Sequence, residues 1–258
     1  MRREKTNYII QSVAHALDVL EQFSGDHDEL GVTELSKRLK LHKNNVFRLL
    51  ATLESRGYIE QNKATENYRL GIRCLQLGQT YLTHMGLLRQ AHPIIESLAS
   101  SANETAFVAV FRKAAVVPLD AVEAKRPVRL TSRVGEAMPL HCTAAGKIQL
   151  AFIPDADLRE ALTEGLTRFT DNTITDQQTL HQQLKRIAEV GYSVELGEHI
   201  AEVHSIAVPI RDYTRNVVGS LAVSGPAHRM SSDRIEKEIA PLMQKAGQEL
   251  SNRLGFES

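Results

Sequence analysis

The sequence predicts an α+β chain of two domains: an N-terminal winged helix-turn-helix and a larger C-terminal α+β domain. Three observations predict it. Two short amphipathic segments joined by a tight turn precede two short extended runs within the first 71 residues. Beyond residue 89, strand-like and helix-like patterns alternate without repeats or low-complexity tracts. The 258 residues, 42% hydrophobic and 24% charged, have ordinary globular composition and suffice for two modest domains.

The elements justify this in order. Val13, Ala16, Leu17 and Leu20 recur at helical spacing, and a polar loop follows from Ser24 to Asp28. Val32 to Leu39 reads as a short helix, with Thr33 as its N-cap and Glu34 in its first turn. Lys40-Leu41-His42 is too short for anything but a turn. Val46, Leu49, Leu50 and Leu53 then stripe a second helix that Gly57 stops. Residues 57–61 and 67–70 read as two strands joined by the polar turn 62–66, which makes a wing.

Charge points the same way. Lys+Arg and Asp+Glu are 31 each, so the chain as a whole is no polycation. By segment it is strongly uneven. Residues 13–31 carry five acidic and no Lys or Arg residues, whereas residues 32–73 carry nine basic against four acidic. The second helix of such a unit fits the major groove of double-stranded DNA and offers side chains near its start. Lys43, Asn44, Asn45, Phe47, Arg48 and Thr52 lie opposite its apolar stripe. Lys and Arg suit phosphates and guanine edges, and Asn suits adenine. Lys63 at the wing tip would meet backbone phosphate, and Thr33 completes the expected DNA-binding set.

In the C-terminal part, Leu87, Leu88, Ala91, Ile94, Ile95 and Leu98 stripe a helix, with His92-Pro93 near a kink or a start. Residues 105–111, 116–122, 203–210 and 217–223 read as strands. Residues 143–152 read as a helix, Thr175-Asp176-Gln177-Gln178 as a capping box, and Ser231 or Ser232 as the start of the last helix. One stretch suggests a site. In Pro139-Leu140-His141-Cys142-Thr143-Ala144-Ala145-Gly146-Lys147 a capping hydroxyl precedes three tiny residues. Small side chains leave first-turn N–H groups approachable, and the helix dipole favours an anion there.

These stretches together resemble the IclR family of bacterial transcription regulators, over essentially residues 8–255. The matching stretches are 12–20, 35–39, 46–54, Gly57-Tyr58 and Tyr68 to Gly71, then the Pro-x-His and Gly-Lys pattern at 139–147, residues 191–212 and residues 221–226. The resemblance implies a DNA-binding domain over 8–71, a linker helix over 72–88 that contributes to dimerisation, and a GAF-like effector-binding and oligomerisation domain over 89–258. It implies effector contacts at Met138, Ala144, Ala145, Glu195, Ser205, Ala222 and Ser224. Thr143 joins this set from the capping pattern. The implied partners are operator DNA, a small organic acid effector and further copies of the chain, as homodimer or homotetramer, with no cofactor. The sequence departs from the family at His42–Asn45, where Pro-Lys-Ser-Thr is frequent, and at Glu195, Ala222 and Arg211.

An enzyme with an accessory DNA-binding-like module is the competing class. His141 and Cys142 adjoin, but neighbours on extended backbone point to opposite faces, which argues against a base–nucleophile pair. His199, His204, Glu195 and Glu198 could gather around a metal, although no metal motif, phosphate loop or nucleophile elbow occurs. We expect no catalytic residue and no metal. No apolar run reaches membrane-spanning length and no cleavable leader pattern is present, so the expected location is the cytoplasm, away from membranes. Cys74 and Cys142 form no disulfide framework.

Overall fold

The computed structural model describes residues 9–23, 28–84, 86–131, 134–163 and 165–257, in two compact units, 1–84 and 85–258. Among the described residues no helix is long and apolar enough to cross a membrane.

In the first unit, α1 (Gln11–Glu21), α2 (Val32–Leu39) and α3 (Lys43–Ser55) precede β1 (Ile59–Gln61) and β2 (Tyr68–Leu70), and α4 (Ile72–His84) closes the unit. Val19, Phe23, Leu35, Val46, Leu50, Leu53 and Ile59 form its core. The α1 stripe is rotated from the sequence expectation. Val19 is fully buried, whereas Val13 and Leu17 are 54% and 55% exposed. The helix thus has two apolar faces, and only one enters this core. Thr33 is not the cap of α2: Gly31 takes the extended N-cap position and Thr33 lies inside the helix. Lys40, in left-handed conformation, ends α2, and His42 caps α3 by accepting from the Asn44 amide.

The wing pairs Ile59 with Leu70 and Gln61 with Tyr68. Leu30 adds an isolated bridge to Tyr68, with both backbone hydrogen bonds at 2.9 Å. Gly71 permits the next close approach. A Cβ there would lie 2.4 Å from the Gly57 carbonyl oxygen, so only glycine lets α4 start against the wing root. Cys74, half-buried on α4, donates its thiol to the Tyr58 carbonyl.

The second unit opens with α5 (Gly86–Ala102), which carries Pro93 inside the helix rather than at its start. It is built on one antiparallel six-stranded sheet in the order β5-β4-β3-β8-β7-β6. The strands are β3 (Thr105–Arg112), β4 (Ala115–Val122), β5 (Met138–Pro139), β6 (Ser193–Leu196), β7 (Val203–Arg211) and β8 (Val217–Pro226). On one face lie α6 (Ala144–Leu150), α7 (Asp155–Ala161) and α8 (Gln177–Val190), whose Ile148, Leu180 and Leu184 share a core with Phe107, Ala207 and Ala222. Against the sheet also pack α5 and the C-terminal helical run: α9 (Ser232–Arg234), a π-helical turn Ile235–Ile239 and α10 (Ala240–Arg253). Ser231 caps that run, and Asp176 rather than Thr175 caps α8 through the Thr179 amide. Because helices cover the sheet, β3 reads as a continuous apolar run. Glu104, fully buried before β3, is held by a two-pronged bond from Arg229, at 2.7 Å on each oxygen.

Candidate functional site

The DNA-facing candidates are all on the surface of the first unit. Thr33, Lys43, Asn44, Asn45, Phe47, Arg48, Thr52 and Lys63 are each exposed. Phe47 is 56% exposed, unusual for an aromatic ring with a core helix beneath it. Thr52 is partly engaged, because its hydroxyl donates to the Arg48 carbonyl at 2.8 Å. Glu29 contributes without any sequence pattern to mark it. Its two oxygens accept from Asn62 Nδ2 at 2.7 Å and Thr65 Oγ1 at 2.9 Å, on either side of Lys63. Those bonds, Asn62 first, hold its carboxyl below the ordinary range. The wing turn is therefore fixed by a side chain from before α2.

In the second unit a cavity of about 480 Å³ opens between the sheet and the start of α6. Seven of the eight effector positions expected from the sequence line it: Met138, Thr143, Ala144, Ala145, Glu195, Ser205 and Ser224. Ala222 does not. It lies on the same strand face as Ser224, but two residues earlier and fully buried in the core shared with Ala144 and Ala145. Thr105, Phe107, Pro118, Leu130 and Thr131 also line the cavity, as do Glu136, His199, Ile200 and Val203. No local pattern singles these out, because they come from separated strands and loops.

Local bonds hold the wall in shape. Thr143 caps α6, accepting from the Gly146 amide at 3.1 Å and donating to the Pro139 carbonyl at 2.6 Å. A Cβ on Gly146 would lie 2.3 Å from the Leu140 carbonyl oxygen, so the glycine lets the 140–143 segment cross the helix start. Ser193 donates to the Ala144 carbonyl at 2.6 Å, tying β6 to the same turn. Glu195 Oε1 accepts from the Glu198 and His199 amides. Burial pushes the Glu195 carboxyl up to about 7. The two amides and Lys147 oppose that rise, and the Glu198 charge adds to it. Behind it, Lys147 and Glu198 form a buried ion pair.

Three of the side chains weighed for the competing enzyme reading are engaged otherwise. Burial, helped by the Glu198 and Glu195 charges, pushes the Cys142 thiol up to about 12, so it holds its proton. His141 instead bonds the Thr167 carbonyl at 2.9 Å. His204 is turned to the Met230 carbonyl, 2.7 Å away. Among the described residues no group of three or more His, Cys, Asp or Glu is placed to hold a metal. Arg211, a departure from the family pattern, lays its guanidinium 4.5 Å from the Phe152 ring centroid.

Residues 79–252 match the profile described as the bacterial transcriptional regulator IclR C-terminal domain, and residues 12–63 match the IclR helix-turn-helix domain. The chain is 31% identical to the HTH-type transcriptional regulator XynR of Escherichia coli over 250 residues, covering 96% of this chain and 98% of that protein. A crystal structure of an IclR transcriptional regulator from Silicibacter sp. superposes with a TM-score of 0.84 at 28% identity, covering 95% of this chain and 97% of that one. An IclR homologue from Microbacterium hydrocarbonoxydans, solved with 4-hydroxybenzoate, has the same fold, with a TM-score of 0.82 at 24% identity and coverage of 95% and 99%. These relatives are regulators, not enzymes. The chain belongs to the IclR family of bacterial transcription regulators, with a DNA-binding N-terminal domain and an effector-binding C-terminal domain.

Proposed function

We propose that the C-terminal cavity takes a small organic acid and that its occupancy alters operator binding by a homodimer or homotetramer of this chain. The observation that carries the reading is the convergence of seven expected effector positions on one cavity. Its volume falls in the range of small-ligand pockets, and its wall combines apolar side chains with a few hydroxyls and carboxylates. The carboxylate of the acid meets the Thr143–Ala145 turn, where the side chains are small. On the DNA side, Lys43, Asn44, Asn45, Phe47, Arg48 and Thr52 face the major groove, with Lys63 and Thr33 at the flanking backbone. Two copies are needed because one recognition helix reads only a short half-site. The exposed apolar face of Val13 and Leu17, and that of Ile72, Leu75 and Leu77, supply self-pairing surface.

A thermal-shift screen of carboxylic acids, followed by gel shifts with and without any hit, tests the reading. A ligand at 100 times its Kd stabilises by about 2.7 kcal/mol, well within detection. An acid that binds and changes operator affinity without being consumed supports it. Binding that leaves operator affinity unchanged refutes it.

A further inference from the structure

Three consecutive residues before α2 meet the wing. Leu30, buried in the core, exchanges both backbone bonds with Tyr68. Gly31 stands so close that a Cβ on it would lie 2.9 Å from Asn67 Oδ1. Glu29 extends its side chain over the wing turn, accepting from Asn62 Nδ2 at 2.7 Å and from Thr65 Oγ1 at 2.9 Å. The wing strands are three residues each, and a hairpin of that size is marginal by itself. Residues 29–31 therefore fix it to the start of α2, the first helix of the helix-turn-helix.

The two side chains that Glu29 grips each hold the turn in shape. With its Nδ2 turned to Glu29, Asn62 presents Oδ1 to the Ala64 amide at 3.0 Å. With its proton given to Glu29, Thr65 accepts from the Asn67 amide at 3.3 Å. Between them stands exposed Lys63, the one cation of the turn 62–66, and Glu66 beyond it takes a left-handed backbone, φ 60°. Losing the Glu29 carboxylate frees both side chains to rotate, and the backbone that aims Lys63 loosens with them. By charge alone the same carboxylate is a cost, because it faces the same polyanion as Lys63.

Resting on the DNA-facing reading above, we infer that Glu29 is a positioning residue for DNA binding: it clamps the wing turn so that Lys63 meets the phosphate backbone, and this gain outweighs the repulsion of its own charge. The test is a mutant cycle in the full chain, read by anisotropy titration at several salt concentrations. The probe is the duplex that the wild-type chain enriches most strongly from a random-sequence pool. Lys63→Ala is expected to weaken binding about fivefold and to flatten the slope of log affinity against log salt by about one. Glu29→Ala is expected to weaken binding about threefold and to flatten the slope by part of that amount, since a loosened turn makes the contact only part of the time. In the Lys63→Ala background, Glu29→Ala is expected to leave affinity unchanged or tighten it by up to about twofold, because only repulsion is then removed. Glu29→Gln, whose amide can accept from Asn62 and donate to Thr65, is expected to bind at least as tightly as wild type. A role through charge alone tightens binding in both backgrounds, and a role in folding alone weakens it in both; either pattern overturns the inference. If Lys63→Ala has no effect, the wing contact and the inference fall while the reading of α3 stands. A wild-type chain that enriches no duplex overturns the DNA-facing reading and the inference together.

Discussion

Lys147 Nζ lies 2.5 Å from Glu198 Oε1, with the lysine side chain wholly shielded from solvent. The ammonium also donates to the Val194 carbonyl at 2.9 Å, so it ties α6 to both β6 and the turn after it. Glu198 Oε2 is buried without a hydrogen-bond partner among the described residues. Removing one partner of such a pair strands the other charge, which costs about 3–5 kcal/mol. Lys147→Met should therefore lower the unfolding free energy of the second unit by that amount. Lys147→Met with Glu198→Leu should recover most of the loss, since neither charge of the pair then remains buried. Urea denaturation of the three proteins checks this, and a double variant less stable than the single one contradicts it.

Glu195 makes stability depend on pH in a definite direction. Burial raises its carboxyl to about 7 from an ordinary value of 4.5. The folded protein therefore holds a proton that the unfolded chain releases between those values, and stability falls as pH rises from about 4.5 to 7. The full loss is about 3 kcal/mol, since each tenfold difference in proton affinity between folded and unfolded chain is worth about 1.4 kcal/mol. Glu195→Gln should flatten this part of the profile and exceed wild-type stability at pH 8. Equal pH slopes for the two proteins would remove the argument.

On the DNA side, Arg48→Ala should weaken operator binding by about 1–3 kcal/mol if the guanidinium reads a base edge. Lys43→Ala should weaken all DNA alike and reduce the slope of log affinity against log salt by about one. Both residues are exposed on α3, so neither variant should unfold the unit. Gel shifts at three salt concentrations separate the two roles. Unchanged affinity in both variants would show that α3 is not the reading helix.

The exposed apolar face of α1 leads to a prediction about assembly. Val13 and Leu17 are more than half exposed on the face opposite buried Val19. A charge there costs little in a monomer but much in a packed interface. Leu17→Glu should shift the chain toward smaller species and weaken binding to a palindromic operator more than to a half-site. Light scattering at micromolar concentration reads the first effect. A wild-type chain that is already monomeric, with and without DNA, would exclude the assembly altogether.

The sequence makes legible those elements whose apolar pattern follows one period. The stripe of α3 is Val46, Leu50 and Leu53 in sequence and structure alike, with Leu49 half-buried. On α1 two apolar faces compete, and periodicity alone does not say which one turns inward. The cap of α2 escapes the pattern because Gly31, with no side chain to give a signal, takes the position by its extended backbone. Strand β6 carries no recognisable strand pattern because its alternation is inverted. Ser193 and Glu195 are buried while Leu196 is 37% exposed, since the polar side chains serve the site rather than the core. Glu195 is legible through family resemblance, not through pattern. Ala222 shares the two-residue period of Ser224, yet the helix α6 covers it, and only the packed structure reveals that cover. Glu136 and His199 need the fold itself, because nothing local marks a loop residue as facing a cavity.

The cavity wall at Ala145 separates ligand binding from DNA binding. Ala145 is 2% exposed, lines the cavity and belongs to the core beneath it. Leucine in its place adds three carbons where the ligand's carboxylate end is expected, and overpacking of this kind typically costs about 1–3 kcal/mol of stability. That cost falls on the second unit, whereas the DNA-facing side chains belong to the first. Ala145→Leu should therefore abolish the thermal shift given by the acid and the acid's effect on operator binding. Operator affinity without ligand should stay within about threefold of wild type. Ala145→Gly, which enlarges the space, should retain ligand binding, so that loss in the leucine variant can be assigned to obstruction. Calorimetric titration of both variants decides the matter: wild-type affinity in Ala145→Leu would mean that the acid binds away from this cavity.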